Sequence, residues 1–219
     1  GRKIKLYIDG KLNQTATQKG ALSSITSDYK LTIGKSTNSN TDYWKGKIDD
    51  VRVYDVALNK KQVMALYKTR NPLGNELAYY SLDETSGTTV RDSSGNGYNG
   101  TVSNSNSSGF NMNVAGYNGK AGGAIDFDGT DDFILISEKF RTPYFTVAFW
   151  AYAVDDSDSG YTGWAASISN RYHDASSNKY GWNFYTPGSQ GSEGKWSLTI
   201  GDGSNDWPAI ETSSTVSYN

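Results

Sequence analysis

The chain has 219 residues, a formal net charge of −2 at pH 7, one histidine and no cysteine. This length is sufficient for one large β-sandwich or barrel, or for two small domains, without a metal or a disulfide to hold the core together. The lack of cysteine excludes a disulfide framework, a thiolate zinc site and a cysteine nucleophile. A single histidine excludes a multi-histidine metal centre within one chain.

Charge and hydropathy exclude two classes of partner. No basic cluster stands out, so the release of counterions that drives nucleic-acid binding has little to act on. No apolar run approaches the roughly 18 to 20 residues that a membrane helix needs. Residues 1–6 lack the apolar stretch of a signal peptide, and we expect that any export signal has been removed or lies upstream. We therefore predict neither a nucleic-acid partner nor membrane insertion.

The composition favours an all-β fold. Aromatic residues make up 13% of the chain and charged residues only 20%, and glycine occurs 24 times. Aromatic and β-branched residues suit a pleated, half-buried surface, whereas Gly, Asn, Asp and Ser supply the positive φ angles of tight turns. We expect many short strands joined by tight turns, as in secreted all-β modules.

Hydrophobic periodicity predicts about a dozen strands. Residues 3–8 alternate charged and apolar side chains, and Asp9-Gly10 after them suits a two-residue hairpin turn. Further strands are predicted over residues 29–33, 47–54, 78–82, 124–127, 133–136, 145–152, 165–169, 181–185 and 196–200.

One segment has a helical pattern and leads into a linker. Asn59 is predicted to cap a helix over residues 60–68, in which Val63, Leu66 and Tyr67 share one face. Residues 71–76 then carry the Pro and Gly punctuation of a linker. This linker divides the chain into residues 1–70 and residues 77–219.

Specific motifs occur in three parts of the chain. They lie in residues 77–84 with 92–102, in residues 124–134 with 145–150, and in residues 5–12, 31–34 and 45–67. Together these segments resemble the laminin-G-like group of the concanavalin A-like lectin and glucanase superfamily. The resemblance covers nearly the whole chain, and it implies a two-sheet antiparallel jelly-roll β-sandwich with one short helix. Alternation within the strands agrees independently with such a sandwich.

The order of the segments departs from that family. Residues 1–70 resemble the closing third of a module and residues 77–219 its opening two-thirds. In the family, a strand with a Trp-then-His run that ends in an Asp-Gly turn normally precedes the strand at residues 3–8. That strand is absent here, because the only histidine, His173, lies in a different context. The chain is therefore either one permuted domain or a window cut across two consecutive modules of an array. A third reading is a polymer whose subunits complete each other by strand addition.

The resemblance implies a calcium site where the beginning and the end of the module meet. Hard cations need several oxygen ligands, and the candidates are carboxylates and an amide in those two regions. The alternative is that residues 92–97 form only an Asx-stabilised turn and that Asp49 and Asp50 are a pair at the end of a strand. The predicted calcium ligands are Asp49, Asp50, Asp83, Asp92 and Asn96.

A second acidic group comprises Asp126, Asp128, Asp131 and Asp132. Asp126 and Asp128 lie on the same side of a predicted strand, and Gly129-Thr130 is predicted as a turn. The terminal glutamate and the spacing of an EF-hand are missing, so we predict a solvated hairpin tip rather than a metal site.

Catalytic motifs are not found. Glucanases of the superfamily place a Glu-x-Asp-x-x-Glu run on one strand, and no such run occurs here. His173 lies in a polar loop, and no Gly-x-Ser-x-Gly elbow accompanies it. We therefore predict that the chain is not an enzyme.

Aromatic side chains in polar loops are the candidates for sugar binding, because the apolar face of a sugar ring stacks on Trp or Tyr. Trp182, beside Phe184, also fits a core position. The predicted carbohydrate-binding residues are Trp164, Arg171, Tyr172, Trp182, Asp202, Asn205 and Trp207.

These features predict a non-catalytic extracellular binding or adhesion module, with calcium and with a glycan or glycoprotein surface as its partner. The competing hypothesis is a structural repeat of a surface filament, virion or adhesin stalk, in which neighbouring copies of the chain are the partners. A third hypothesis is an accessory module of a larger enzyme.

Overall fold

A computed structural model describes residues 2–18, 29–37, 39, 41–103, 110–116, 123–142, 144–154, 164–187, 195–204 and 207–213. Within these residues one helix, α1 (Lys60–Thr69), occurs among strands. The strands are β1 (Arg2–Ile8), β2 (Lys11–Gln18), β3 (Leu31–Ile33), β4 (Lys45–Tyr54), β5 (Ala78–Tyr80), β6 (Thr89–Val90), β7 (Gly100–Ser103), β8 (Asn111–Val114), β9 (Ala124–Asp128), β10 (Phe133–Ile136), β11 (Thr146–Ala153), β12 (Trp164–Ser169), β13 (Tyr172–His173), β14 (Lys179–Tyr180), β15 (Trp182–Pro187), β16 (Ser197–Ile200) and β17 (Ala209–Glu211).

Two antiparallel sheets form the predicted all-β sandwich. The larger sheet has the strand order β17-β16-β15-β12-β3-β10-β7-β6, and the smaller has the order β11-β4-β9-β8 with β5 also paired to β4. Two hairpins, β1-β2 and β13-β14, stand outside these sheets. The strand positions confirm the periodicity prediction, although the structure contains more strands than predicted because several are only two to four residues long.

The core lies between the two sheets. Phe149 of β11 meets Phe184 of β15 edge to face, with 5.5 Å between ring centres. Trp44 is fully buried and stacks on Trp196 at 5.4 Å. The inward residues of the central strands, such as Ile48, have no exposed surface. Burying one such aliphatic side chain stabilises the fold by about 1.5–3 kcal/mol.

The first hairpin forms as predicted. Asp9 and Gly10 have φ angles of 49° and 70°, which is the left-handed pair that a two-residue turn between twisted strands requires. A side chain at Gly10 would also collide with helix α1, because a Cβ there would lie 2.9 Å from the Cβ of Tyr67. The hairpin therefore packs closely against the helix.

Helix α1 begins and ends with local hydrogen bonds. The side chain of Asn59 accepts from the backbone of Lys61 and Gln62, and Gln62 accepts in return from the backbone of Asn59. Arg70 ends the helix in a left-handed conformation with φ 55°. The predicted cap and helix are confirmed, with Leu66 buried beneath the helix. Within the described residues, no helix has the length and apolarity to cross a membrane.

Strands from both sides of the predicted linker share the same sheets. β3 lies between β10 and β12, and β4 lies between β9 and β11. The linker residues are themselves held, since Glu76 is buried and accepts hydrogen bonds from Leu73, Gly74 and Tyr54 at 2.6, 3.0 and 3.0 Å. This intercalation is the arrangement that one permuted domain would have, and the division at residues 71–76 stays a prediction.

Candidate functional site

Six side chains with planar groups gather around the β13-β14 hairpin. We call this group the aromatic surface, and it consists of Tyr29, Arg171, Tyr172, His173, Tyr180 and Trp207. All are at least partly exposed, and Tyr29 is the most open at 38%. Because successive side chains of a strand point to opposite faces, the three tyrosines lie on one face of the hairpin and Arg171, His173 and Trp207 lie on the other.

A short hairpin positions the tyrosines. Tyr172 pairs with Tyr180 and His173 with Lys179 across the two strands. Asp174 holds the turn, because its Oδ1 accepts from the backbone nitrogens of Ser176 and Asn178, both at 2.9 Å. Donation from the side-chain amide of Asn178, together with these backbone hydrogen bonds, lowers the pKa of the Asp174 carboxyl, so the turn keeps its charged acceptor at neutral pH.

The tyrosines form a stack. The rings of Tyr29 and Tyr172 have centres 4.4 Å apart and planes inclined by only 20°. Tyr172 in turn lies over Tyr180 at 6.0 Å. Because Tyr172 is covered on both sides, Tyr29 is the member with the more accessible face. Tyr29 was not predicted as a site residue, because its contact with Tyr172 joins residues far apart in the chain.

A cation and an imidazole flank the tryptophan. The guanidinium carbon of Arg171 lies 4.7 Å from the ring centre of Trp207, and the ring of His173 lies 5.9 Å from it. Nη2 of Arg171 is 3.4 Å from Nε2 of His173. Burial, with the nearby charges of Lys179 and Arg171, lowers the pKa of His173, so the imidazole is neutral at pH 7 and accepts from Arg171.

Two of the other predicted sugar-binding residues, Trp182 and Asp202, have structural roles. Trp182 is only 3% exposed and packs between Phe145 and Phe184, at 5.2 and 5.9 Å. The prediction that Trp182 contacts a sugar is therefore wrong, because the core covers its faces. Asp202 caps its own turn by accepting from the backbone and hydroxyl of Ser204, at 2.8 and 2.6 Å. The side chain of Trp164 and all of Asn205 lie outside the described residues.

Asp49 and Asp50 are buried against arginine rather than free for a cation. Arg70 donates from Nη2 to Oδ2 of Asp49 at 2.6 Å and from Nε to Oδ2 of Asp50 at 2.5 Å. Arg52, itself 2% exposed, donates to Oδ1 of Asp50 at 3.2 Å, and the hydroxyl of Tyr79 donates to the same oxygen at 2.8 Å. Two guanidinium groups thus compensate two carboxylates, and a calcium ion would have to displace Arg70.

Asp92 forms the Asx-stabilised turn that was the alternative to a metal loop. Its Oδ1 accepts from the backbone nitrogens of Tyr79 and Ser94, at 3.0 and 2.9 Å, and its Oδ2 accepts from that of Tyr98 at 3.0 Å. These bonds lower the pKa of Asp92 despite its partial burial. Its oxygens are therefore occupied by backbone donors.

The remaining two predicted ligands do not complete a site. Asn96 uses its amide nitrogen as a donor to the carbonyl oxygens of Glu76 and Leu77, at 3.3 and 3.1 Å. Asp83 is exposed. The structure brings Asp50 and Asp92 to opposite ends of Tyr79, but this set does not resemble an oxygen cage around one ion.

Three other carboxylates do converge. Oxygen atoms of Asp128, Asp131 and Asp132 lie within 4.8 Å of one another in the turn between β9 and β10. Asp131 and Asp132 are 8% and 1% exposed, so the prediction of a solvated hairpin tip is wrong for these two. Oδ1 of Asp132 has no hydrogen-bond partner among the described residues.

The protonation of Asp132 reflects this crowding. Burial, together with the charges of Asp128, Asp131 and Asp126, raises the pKa of Asp132 to about 6. Its Oδ2 accepts from the backbone nitrogen of Asp128 at 3.2 Å, which opposes the shift only in part. A buried, electron-rich carboxyl among like charges is what a divalent cation would stabilise.

Comparison with known proteins finds a family model that matches the first part of the chain. A laminin-G-type family model, described as the concanavalin A-like lectin/glucanases superfamily, matches residues 1–64. The match confirms the laminin-G-like resemblance over the first part of the chain, and it agrees with the β-sandwich described above. No curated protein and no solved structure matches the chain.

Proposed function

We propose that this chain is a non-catalytic, extracellular carbohydrate-binding or adhesion module that uses the aromatic surface as its sugar site and binds calcium between Asp128, Asp131 and Asp132. Its partner is a glycan or a glycoprotein surface. The match of residues 1–64 to a lectin-containing superfamily supports a lectin-like module at the coarse level. The observation that carries the finer proposal is the stack of Arg171 on Trp207 on one face of the β13-β14 hairpin.

The aromatic surface has the two kinds of group that a sugar needs. The ring of Trp207 offers an apolar face for the C–H side of a pyranose, and the ring of Tyr29 offers a second one on the other face of the hairpin. Arg171 offers guanidinium donors for hydroxyl or carboxylate oxygens, and its contact with Trp207 fixes its direction. We infer a sugar that combines one apolar face with an oxygen-rich edge, such as an acidic or densely hydroxylated glycan.

Calcium in this proposal is a structural ion. The three carboxylates lie in the tight turn after β9, where Thr130 and Asp131 donate their backbone nitrogens to Oδ1 of Asp128, at 2.7 and 3.4 Å. This leaves Oδ1 of Asp132 as an uncompensated buried acceptor. A bound Ca²⁺ would neutralise the cluster and fix the turn, because Ca²⁺ takes several carboxylate and carbonyl oxygens.

Binding of the folded protein to a broad glycan array, with calcium and with chelator, tests the proposal. We expect a defined set of sugars to bind, and we expect the signal to fall in the Trp207→Ala variant. Tyr144→Ala is the matched control, because Tyr144 is 55% exposed and lies outside the aromatic surface. A blank array from folded protein would reject the lectin function and favour the structural-repeat hypothesis.

A further inference from the structure

A long groove runs between β1 and β11. It has a volume of about 710 Å³ and is lined by consecutive residues of both strands, 3–10 on one side and 144–151 on the other. One face of a strand would contribute only every second residue, because successive side chains point in opposite directions. The groove is therefore bounded by two strand edges.

Both strands are edge strands on the side of the groove. In the part of the chain that the structure describes, β1 pairs only with β2, and β11 pairs only with β4. Among the described residues, no third strand continues the ladder from either edge. Such edges are a template for another strand, because only an extended polypeptide offers donors and acceptors at the matching repeat.

The floor and the sides of the groove are apolar. Phe184, Leu198 and Ile200 of the opposite sheet form the floor with Trp196. Apart from Leu6, which is 5% exposed, the inward side chains of both flanking strands are only partly buried, whereas inward residues of the central strands, such as Ile48, are fully buried. These partly buried residues are Ile4, Ile8, Phe145, Val147, Phe149 and Ala151. A strand with apolar side chains at alternate positions would bury them.

The groove is closed at one end and basic at the other. Gly10, just after β1, packs against Tyr67, and Tyr67 stacks on Trp150 of β11 with 5.5 Å between ring centres. Lys3 and Lys5 lie on the open, exposed part of β1. Acidic side chains on an incoming strand would therefore meet these lysines as cross-strand pairs.

We propose that this groove binds an extended strand of a partner polypeptide, which pairs with β1 and β11, places apolar side chains on the floor and places acidic side chains beside Lys3 and Lys5. The groove spans six residues of β1 from Lys3 to Ile8, about 20 Å of extended chain. This inference is independent of the sugar site, because it uses none of the residues of the aromatic surface.

The test uses a nine-residue peptide that alternates valine with glutamate and threonine. NMR of the full chain should show protection of amide protons in β1 and β11 when the peptide is added. One control peptide has the same composition with its valines contiguous. The other carries N-methyl groups on alternate backbone nitrogens, which removes the donors on one edge. We expect both controls to bind at least tenfold more weakly.

Charge is tested separately in two folded variants. Lys5→Glu should weaken binding of the acidic peptide at least threefold and improve binding of a peptide with lysine in place of glutamate. Lys11→Glu is the matched control, because Lys11 is exposed on the neighbouring strand and does not line the groove. No protection in β1 and β11, equal binding of the N-methylated peptide, or a groove already filled by a second copy of the chain would overturn the proposal.

Discussion

The guanidinium carbon of Arg171 lies 4.7 Å from the ring centre of Trp207, on the face of the β13-β14 hairpin opposite to the stacked rings of Tyr29 and Tyr172. A cation above an indole face contributes about 0.5–2 kcal/mol, more as the pair is desolvated. The pair therefore holds an oxygen-binding group and an apolar face in fixed relation, which is the geometry on which the proposed sugar site depends.

Truncation of either partner should therefore remove sugar affinity. For a glycan found on the array, Arg171→Ala and Trp207→Ala should each weaken binding at least tenfold, and the double variant should lose little more because the two groups act together. Titration calorimetry measures the affinities. Additive losses in the double variant would show that the two residues do not form one site.

The Asp128, Asp131 and Asp132 cluster predicts a pH dependence of stability. The folded pKa of Asp132 is raised to about 6, above its ordinary value near 3.8. The folded protein then binds more protons than the unfolded chain between these values. Without calcium, the free energy of unfolding should fall as pH rises from about 4 to 6, and added calcium should remove this fall.

The variant Asp132→Asn tests whether Asp132 causes this pH dependence and binds calcium. Urea unfolding at several pH values should show that the free energy of unfolding falls less steeply with pH in Asp132→Asn than in the unchanged protein. Calorimetric titration should show calcium affinity lowered at least tenfold. Asp55→Asn, at an exposed position outside the cluster, should retain both properties. A melting temperature that chelator leaves unchanged would count against the calcium site, because a bound ion stabilises only the folded state.

The pairing of Arg70 with Asp49 and Asp50 predicts a large cost for its removal. Arg70→Met would remove one of the two guanidinium groups that balance the negative charges of the buried Asp49 and Asp50. Breaking a fully buried pair costs about 3–5 kcal/mol, and the 28% exposure of the Arg70 side chain reduces this to about 2–3 kcal/mol. Lys68→Met, on the exposed face of the same helix, should change stability by about 0.5 kcal/mol or less. Equal urea midpoints for the two variants would refute the role of Arg70.

The cap of helix α1 predicts a smaller effect. Asn59→Ala removes the acceptor for two backbone nitrogens and should lower the free energy of unfolding by about 1 kcal/mol. Asn71→Ala, at an exposed position just beyond the helix, is the control and should be nearly neutral. Denaturant unfolding distinguishes the two, and an unchanged midpoint for Asn59→Ala would mean that tertiary packing alone holds the helix.

Local patterns predicted the elements whose signals are local. The Asp9-Gly10 turn and the Asn59 cap depend on residues within a few positions of each other, and both were predictable. Strand β2 could not be predicted in this way, because its sequence is mainly polar and lacks hydrophobic alternation. Its extended structure depends on pairing with β1. The two-residue strands of the β13-β14 hairpin are too short to show a period.

The site was less predictable because its chemistry depends on long-range contacts. Nothing near Asp50 indicates that Arg70, twenty residues later, will neutralise it. Likewise, the acidic run ending in Asp132 suggests an exposed turn, whereas packing buries it and raises its pKa. The stacking of Tyr29 on Tyr172 joins two distant parts of the chain. In each case the tertiary fold decides which charges and rings meet.

NMR of the tryptophan indole protons during titration with an array-positive glycan tests the central claim most directly. The chain has six tryptophans, and Trp44 and Trp182 are buried and serve as internal references. We expect the glycan to shift the indole resonance of Trp207, assigned by its loss in Trp207→Phe, and to leave the two references in place. Binding that leaves the Trp207 resonance unchanged would show that the sugar does not contact Trp207.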